Sequence, residues 1–421
     1  MPADSRPRRL TKAALTAALA LLAGCVQNPN SVFHSRTDFN RDVQSLFSLL
    51  IWLGFAVFVF TEGMLLYAIW KYRSRPGKAH RPEQVHGNTR LEILWTVIPA
   101  VVLAIIAVPT VQTVFKTQSV ARSDALQIEV IGHQWWWEFR YPQYDVHTAN
   151  ELYLPIGRTA NFALKTMDVI HSFWIPGLGG KRDLVNNRTN HIWFTPDSVT
   201  AGGEAFNGFC AEYCGTSHAN MRFKAFAVTP EEFASWIAHQ QQGPAFVFPA
   251  PSAPAVPASP AARTGAARTG APPAVQPQPV QAGFIGFARE RMPAYTVPQT
   301  PIPASVRFDT NLVGDVARGA QLVAYGTCVA CHTVKGSPTL KAHVGPDLTH
   351  VGTRLTIGGG LFPNDKRHLA AWIKNSRAMK PGSFMPTQGK GQFDPILKST
   401  LSIGLSDQQV ADIVAYLQAL K

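Results

Sequence analysis

Two long apolar runs near the start of the chain set its first division. From Leu46 to Trp70, and again from Ile93 to Phe115, nearly every position is apolar. Each run exceeds the roughly 20 residues that a helix needs to cross a bilayer. The pair predicts a transmembrane helical hairpin within residues 43–117, with a connecting loop over 71–92. Glu62 interrupts the first run. An ionisable group there is costly unless it faces protein or water, so it marks a contact with another membrane subunit or a neutral carboxyl bonded inside the hairpin. Pro99 and Pro109 interrupt the second run, which a neighbouring helix helps to tolerate.

After a short polar stretch the period changes to two. Leu126, Ile128 and Val130 alternate with Gln127 and Glu129, and the pattern recurs at Leu152 and Leu154, at Phe162 and Leu164, over Asn190–Thr195 and over Arg222–Val228. Short alternating strands between turn-rich connections predict an all-β antiparallel sandwich or barrel over 124–240. Thr229, Pro230 and Glu232 then supply an N-cap, a proline at the first helical position and a capping-box acid, so a helix carrying Phe233, Trp236 and Ile237 closes this domain.

Patterning then stops. From Gly243 to about Pro303 the chain is Pro, Ala, Gln and Gly, with a tandem Ala-Ala-Arg-Thr-Gly repeat over Ala261–Gly270. Such a composition buries no core and predicts a disordered linker over 243–305. As a flexible coil it would span roughly 40–50 Å. The apolar island Gly283–Phe287 is the one place in it that could dock. Helical patterning returns over 306–421, ending in a helix from Ser406 to Leu420 with Val410, Ile413, Val414 and Leu417 on one face. This last module reads as all-α.

Charge then orients the hairpin. The 421 residues carry a formal charge of +13, but residues 1–24 hold four basic residues against Asp4, and Lys71 to Arg90 hold six against Glu83. The basic loop belongs on the cytoplasmic side, so everything after Phe115 faces the opposite, periplasmic side. Concentration of charge in a loop between two spans excludes nucleic acid as a partner. Residues 1–24 read as a secretion signal, basic and then apolar, ending Leu22-Ala23-Gly24 before Cys25. A short segment, 25–42, precedes the hairpin.

The candidate chemistry lies in two cysteine clusters. Within Gly208–Met221, Cys210 and Cys214 stand four apart with Glu212 between them, followed by His218 and Met221. Thiolate, imidazole and thioether together favour copper, with a structural zinc or a Cys210–Cys214 disulfide as the alternatives. In the last module Cys328-Val329-Ala330-Cys331-His332 has the spacing for covalent haem c attachment, with His332 as an axial ligand. No second cysteine pair is present in this module to complete a zinc site. The sixth haem ligand is expected to be a methionine, and Met385, before Pro386, is preferred over Met379. The five cysteines are then all employed, with Cys25 left for lipid. A copper loop next to an electron carrier favours redox copper over zinc.

With these motifs the chain resembles subunit II of the haem-copper cytochrome c oxidases, of the bacterial caa3-type class that carries a fused C-terminal cytochrome c domain. The ending at Cys25 resembles a lipobox. The resemblance implies a cupredoxin-like sandwich and a class I cytochrome c fold. It implies a dinuclear CuA centre bridged by Cys210 and Cys214, with His171 and His218 binding one copper each, Met221 binding one, and Glu212 contributing its backbone carbonyl. His171 lies in Asp168-Val169-Ile170-His171-Ser172-Phe173-Trp174; the residues alone would make it a core histidine. In Gly132-His133-Gln134-Trp135-Trp136-Trp137 the resemblance makes Trp135 the point where electrons enter, with Trp136 standing where tyrosine is common. It also aligns the Glu212 side chain and Asp183 with contacts to a magnesium ion shared with subunit I, and Glu92 with the mouth of a proton path in that subunit. Implied partners are oxidase subunits I and III, a cytochrome c or reductase complex as donor, and membrane lipid. The implied location is the bacterial inner membrane. The implied activity is electron delivery to subunit I, where oxygen is reduced to water with proton pumping. Two other functions use parts of this chemistry: an independent membrane-bound electron-transfer lipoprotein, and a copper chaperone for oxidase assembly. A chaperone has no need of Met221, a haem or two spans.

Overall fold

The computed structural model describes Thr16 and residues 30–73, 87–197, 203–244 and 283–421. The first two elements are helices α1 (Asp38–Tyr72) and α2 (Thr89–Gln118), each longer than the apolar run that predicted it. The Thr37 side chain accepts from the Asn40 amide, and Asn88 accepts from the amides of Arg90 and Leu91, satisfying donors that a helix start leaves free. Pro99 and Pro109 sit inside α2 without ending it. Both helices are long and apolar enough to cross a membrane, with mean hydropathy of 2.2 and 2.5 in their most apolar stretches.

The ends of the hairpin are fixed to the next domain. Phe39 is buried in the sandwich core, Asn40 Nδ2 donates to Pro176 O at 3.2 Å, and Thr195 N donates to Asp38 Oδ1 at 2.9 Å. From α2, Ser119 O accepts from Trp193 Nε1 at 2.9 Å.

Ten strands follow: β1 (Leu126–His133), β2 (Trp136–Tyr141), β3 (Val146–Ala149), β4 (Glu151–Pro155), β5 (Ala160–Thr166), β6 (His171–Trp174), β7 (Arg182–Leu184), β8 (Asn190–Phe194), β9 (Glu204–Cys210) and β10 (Arg222–Val228). They form two five-stranded sheets, ordered β3-β2-β1-β5-β8 and β4-β10-β9-β6-β7. The wholly antiparallel expectation needs correction, because β1 runs parallel to β5 and β4 parallel to β10. Alternation reports which side chains face the core and is blind to strand direction. Between the sheets lies an aromatic core that includes Trp137, Phe139, Phe162, Phe173 and Phe223, with Phe173 stacked on Phe223 at 5.2 Å. Gly208 is required there, since a Cβ would meet the Phe223 ring at 2.1 Å. Helix α3 (Pro230–Gln240) closes the domain through the expected capping box of Thr229 and Glu232.

The sequence-based linker is too long at its C-terminal end. Residues 245–282 lie outside the described residues, but Phe287 and Met292 are buried in the sandwich core. Phe287 N donates to Tyr153 Oη at 3.0 Å, its ring stacks on Phe226 at 4.8 Å, and Arg291 pairs with Glu232 at 2.7 Å. The island Gly283–Phe287 thus begins a strap over the sandwich. Burying one such ring contributes about 1.5–3 kcal/mol, which the surrounding Pro/Ala composition conceals.

The last module contains α4 (Val316–Tyr325), the short hairpin of β11 (Thr356–Ile357) and β12 (Phe362–Pro363), α5 (Lys366–Met379) and α6 (Asp407–Ala419). Helices α4 and α6 cross at Gly319, where a Cβ would come 2.0 Å from Asp412 O. Val410, Ile413, Val414 and Leu417 are buried in its core, as the pattern predicts.

Candidate metal centre

Strand β6 opens at His171 and β9 ends at Cys210, and their antiparallel pairing sets Phe173 opposite Cys210. The imidazole therefore reaches the cysteine loop from 39 residues away, with His171 Nδ1 3.8 Å from Cys210 Sγ. The loop folds back so that Cys210 Sγ lies 3.7 Å from Cys214 Sγ, and Cys214 Sγ lies 3.7 Å from His218 Nδ1 and 3.8 Å from Met221 Sδ. The Glu212 carbonyl oxygen is 3.1 Å from Cys210 Sγ. The turn depends on Gly215 at φ +110°, and Cys210 N donating to Met221 O at 3.0 Å closes the loop.

All six residues of the expected copper set are thus brought together, Glu212 by its backbone. The sulfur–sulfur distance is far beyond the about 2.05 Å of a disulfide. Two nitrogen or sulfur ligands of one metal, with bonds of about 2.0–2.3 Å at a tetrahedral angle, lie about 3.3–3.8 Å apart. The spacings of 3.7–3.8 Å fit ligands converging on metal. The chemistry of the donors, two thiolates with imidazole and thioether, suits copper. The two thiols hold their protons unequally. The bond from Cys214 holds the Cys210 thiol below its ordinary value against burial, helped by His171, while the same bond and burial hold Cys214 above it.

The groups around the ligands fix them. Asp168 Oδ1 lies 2.8 Å from His171 Nε2, leaving Nδ1 for the metal, and Asp168 Oδ2 accepts from Gln134 N at 2.7 Å. Burial works against the Asp168 carboxylate, yet the bonds from His171 and Gln134 hold it below its ordinary pKa. The Cys214 carbonyl accepts from Gln134 Nε2 at 2.8 Å and from Trp135 Nε1 at 3.0 Å. Trp135 is therefore one hydrogen bond from a ligand residue. Of its neighbours, Trp136 stacks on His133 at 4.1 Å, and Trp137 is a fully buried core residue.

In the last module, His332 N donates to Cys328 O at 3.0 Å, a single turn that sets the two thiols and the imidazole together. His332 Nδ1 lies 2.8 Å from Pro346 O, which leaves Nε2 free for iron. Burial lowers the His332 pKa and keeps the imidazole in its neutral, ligating form. Gly345 leaves room for the ring, since a Cβ there would come 2.8 Å from His332 Cε1. Both thiols are free and partly exposed. These residues fit covalent haem. Met379 is buried at 5 % exposure in the module core, whereas Met385 lies on a loop held by Ser376 Oγ donating to Met385 O at 2.6 Å.

Asp183 on β7 and the Glu212 side chain are exposed, and so is Glu92 in the first turn of α2, where its carboxylate accepts from Asn88 N at 3.2 Å. Cys25 lies outside the described residues. Sequence reasoning assigned no role to Asp168, Gln134, Lys380 and Phe384. The spacing of Asp168 three residues before His171 was an available signal for the first. Lys380 and Phe384 belong to the last module, and only the fold carries them to Trp135. Phe384 stacks on Trp135 at 5.8 Å and 11°, and Lys380 Nζ donates to Trp135 O.

Comparison with known proteins covers the whole arrangement. The family model described as cytochrome C oxidase subunit II, transmembrane domain, matches residues 33–113, the one described as cytochrome C oxidase subunit II, periplasmic domain, matches 145–228, and the cytochrome c model matches 316–421. Cytochrome c oxidase subunit 2 of Alkalihalophilus pseudofirmus is 30% identical over 381 residues, covering 89% of this chain and 86% of that protein. The Bacillus subtilis protein of the same name is 28% identical over 372 residues, covering 85% and 82%. Quinol oxidase subunit 2 of Bacillus subtilis is 33% identical over 202 residues, but covers 46% of this chain and 61% of that protein.

Proposed function

The chain belongs to the cytochrome c oxidase subunit II family, as the subunit through which electrons enter a haem-copper oxidase, and from that premise we propose the route they take. One-electron transfer from a haem c to a dinuclear copper centre, whose two metals share the charge, is the chemistry these groups supply when bound. Cys328 and Cys331 would anchor the haem, and His332 and Met385 would ligate its iron. Cys210, Cys214, His171, His218, Met221 and the Glu212 carbonyl would hold the copper, the two thiolates being shared by its metals. Trp135 joins the two sites by contacting Phe384 on one side and the Cys214 carbonyl on the other. The observation that carries the reading is the convergence of His171 with the thiols of a loop 39 residues away.

The acceptor in this reading is oxidase subunit I, with subunit III in the same complex and proton pumping as its output. The donor is a cytochrome c or reductase complex, and the location is the bacterial inner membrane with both redox domains on the periplasmic side. Lipidation of Cys25 would add an anchor to two spans. The exposure of Asp183 and of the Glu212 side chain supports a magnesium site that a partner completes. The exposed Glu92 supports a role at a partner's proton path.

The test is spectroscopic. Protein solubilised in mild detergent is expected to show a mixed-valence copper resonance and a haem c absorption band, and to retain a large haem-bearing subunit. Absence of that subunit would favour the independent electron-transfer lipoprotein, and copper removed by mild chelation would favour the chaperone. Met221→Leu gives a finer test. The side chain is fully buried and leucine is nearly its size, so the fold should lose less than about 1.5 kcal/mol. Copper is expected to stay bound with a shifted potential, because a weak thioether ligand tunes the potential. An unchanged copper potential in redox titration would remove Met221 from the site.

A further inference from the structure

The cytochrome module does not hang free from the sandwich. Strand β4 stands at the edge of its sheet, yet all five of its residues, Glu151 to Pro155, are buried. Its cover is helix α3, whose Trp236 stacks on Tyr153 at 4.3 Å, together with the module and the strap. Glu151 Oε1 accepts three hydrogen bonds from the module: Leu355 N at 2.8 Å, Thr356 N at 2.9 Å and Thr356 Oγ1 at 3.1 Å. Burial pushes the Glu151 carboxyl up to about 7, opposed by the nearby Arg354 guanidinium and by these donors.

The surfaces are shaped for this approach. The tip of the β11–β12 hairpin is Gly358-Gly359-Gly360, all at positive φ. A Cβ on Gly359 would meet Lys380 Nζ at 2.5 Å and Trp135 O at 3.2 Å, and one on Gly360 would meet Phe223 N at 3.2 Å. Gly359 O accepts from Arg222 N at 3.1 Å, continuing the contact from β4 to the start of β10. At the far end, a Cβ on Gly382 would meet Trp135 Cζ3 at 2.8 Å, and Ser217 Oγ donates to Pro381 O. Three glycines therefore stand where a side chain would separate the domains. The carboxylate at one end and the Trp135–Phe384 stack at the other belong to one continuous interface.

We propose that Glu151 is a positioning residue, a latch that holds the cytochrome module against the sandwich and keeps Phe384 stacked on Trp135. The inference rests on the electron route proposed above. With the carboxylate removed, the three donors of Leu355 and Thr356 have no acceptor while docked but find water once released. The penalty therefore falls on the docked state alone. The module then changes from a fixed donor into a tethered one.

The test is hydroxyl-radical footprinting of the full chain in its detergent-solubilised complex, with copper and haem c spectra taken on the same samples. Trp135, 8 % exposed, reports docking, and Trp137, at 0 %, reports the integrity of the core. Glu151→Ala is expected to raise oxidation of Trp135 about tenfold, Trp137 staying protected. Glu151→Gln, whose amide oxygen still accepts, should stay within about twofold of the parent. Unchanged Trp135 in Glu151→Ala overturns the latch. If Trp137 also becomes reactive there, Thr356→Val, which alters only the module side, decides: increased reactivity at Trp135 supports the latch, and unchanged reactivity overturns it. Missing copper or haem signals in the parent would instead sink the route itself, so the two failures are distinguishable.

Discussion

Cys210→Ser is expected to abolish the mixed-valence copper signal while the haem c band persists, and to slow electron delivery to the acceptor by about 100-fold or more, beyond the 10–100-fold typical of losing an outer-shell partner. The sulfur of Cys210 is the centre of the site, with Cys214, His171 and the Glu212 carbonyl at 3.7, 3.8 and 3.1 Å. A serine oxygen is smaller and harder than a thiolate and makes a poor bridge between soft metals. The substitution leaves the backbone bond from residue 210 to Met221 O in place, so the loop should keep its shape. The haem residues lie in a module with a separate hydrophobic core. Resonance and optical spectra of one preparation check the result. Survival of the paired-copper signal would remove Cys210 from the bridge, and loss of both signals would indicate misfolding.

Met385→Ala is expected to lower the haem potential by a few hundred millivolts, on the order of what an axial ligand controls within the roughly 0.8 V that haem ligation spans. Met379→Ala supplies the contrast. Its side chain is part of the module core, so truncation should cost about 2–5 kcal/mol of stability and leave the potential nearly unchanged. Potentiometric titration and thermal unfolding of both variants separate a ligand from a core residue. A potential shift confined to the Met379 variant would reverse the assignment. Fixing Met385 O with Ser376 Oγ also means that Ser376 orders the loop without touching the haem iron.

These expectations depend on features that were unequally visible along the chain. The two spans, the haem motif and the cysteine loop were legible because each is local. A run of apolar residues, a Cys-x-x-Cys-His turn and a Cys-x3-Cys loop hold their meaning within a few residues of one another. The capping box at Thr229 was legible for the same reason. Strands β2, β3, β6, β7 and β9 were not picked out. They are short, aromatic-rich or interrupted by the loop that carries the site, and a period of two is weak over three or four residues. His171 shows the boundary most clearly. Alone it is a buried histidine on a four-residue strand, and family resemblance was needed to single it out.

The sequence by itself determined the order of modules, the charge pattern that orients the spans, and the residue types and spacings offered to copper and haem, because these follow from composition and from spacing along one short stretch. Only the tertiary structure decided which distant groups meet. Pairing of β6 with β9 carries His171 to the thiols, and the bond from Asp168 turns its Nδ1 toward them. Burial of Phe287 converts the end of a linker into a strap. The glycine tip at 358–360, Lys380 and Phe384 close over Trp135, more than 200 residues away, beside the buried carboxylate of Glu151. Such contacts depend on the complementarity of two folded surfaces, and neither surface exists until its own core has formed.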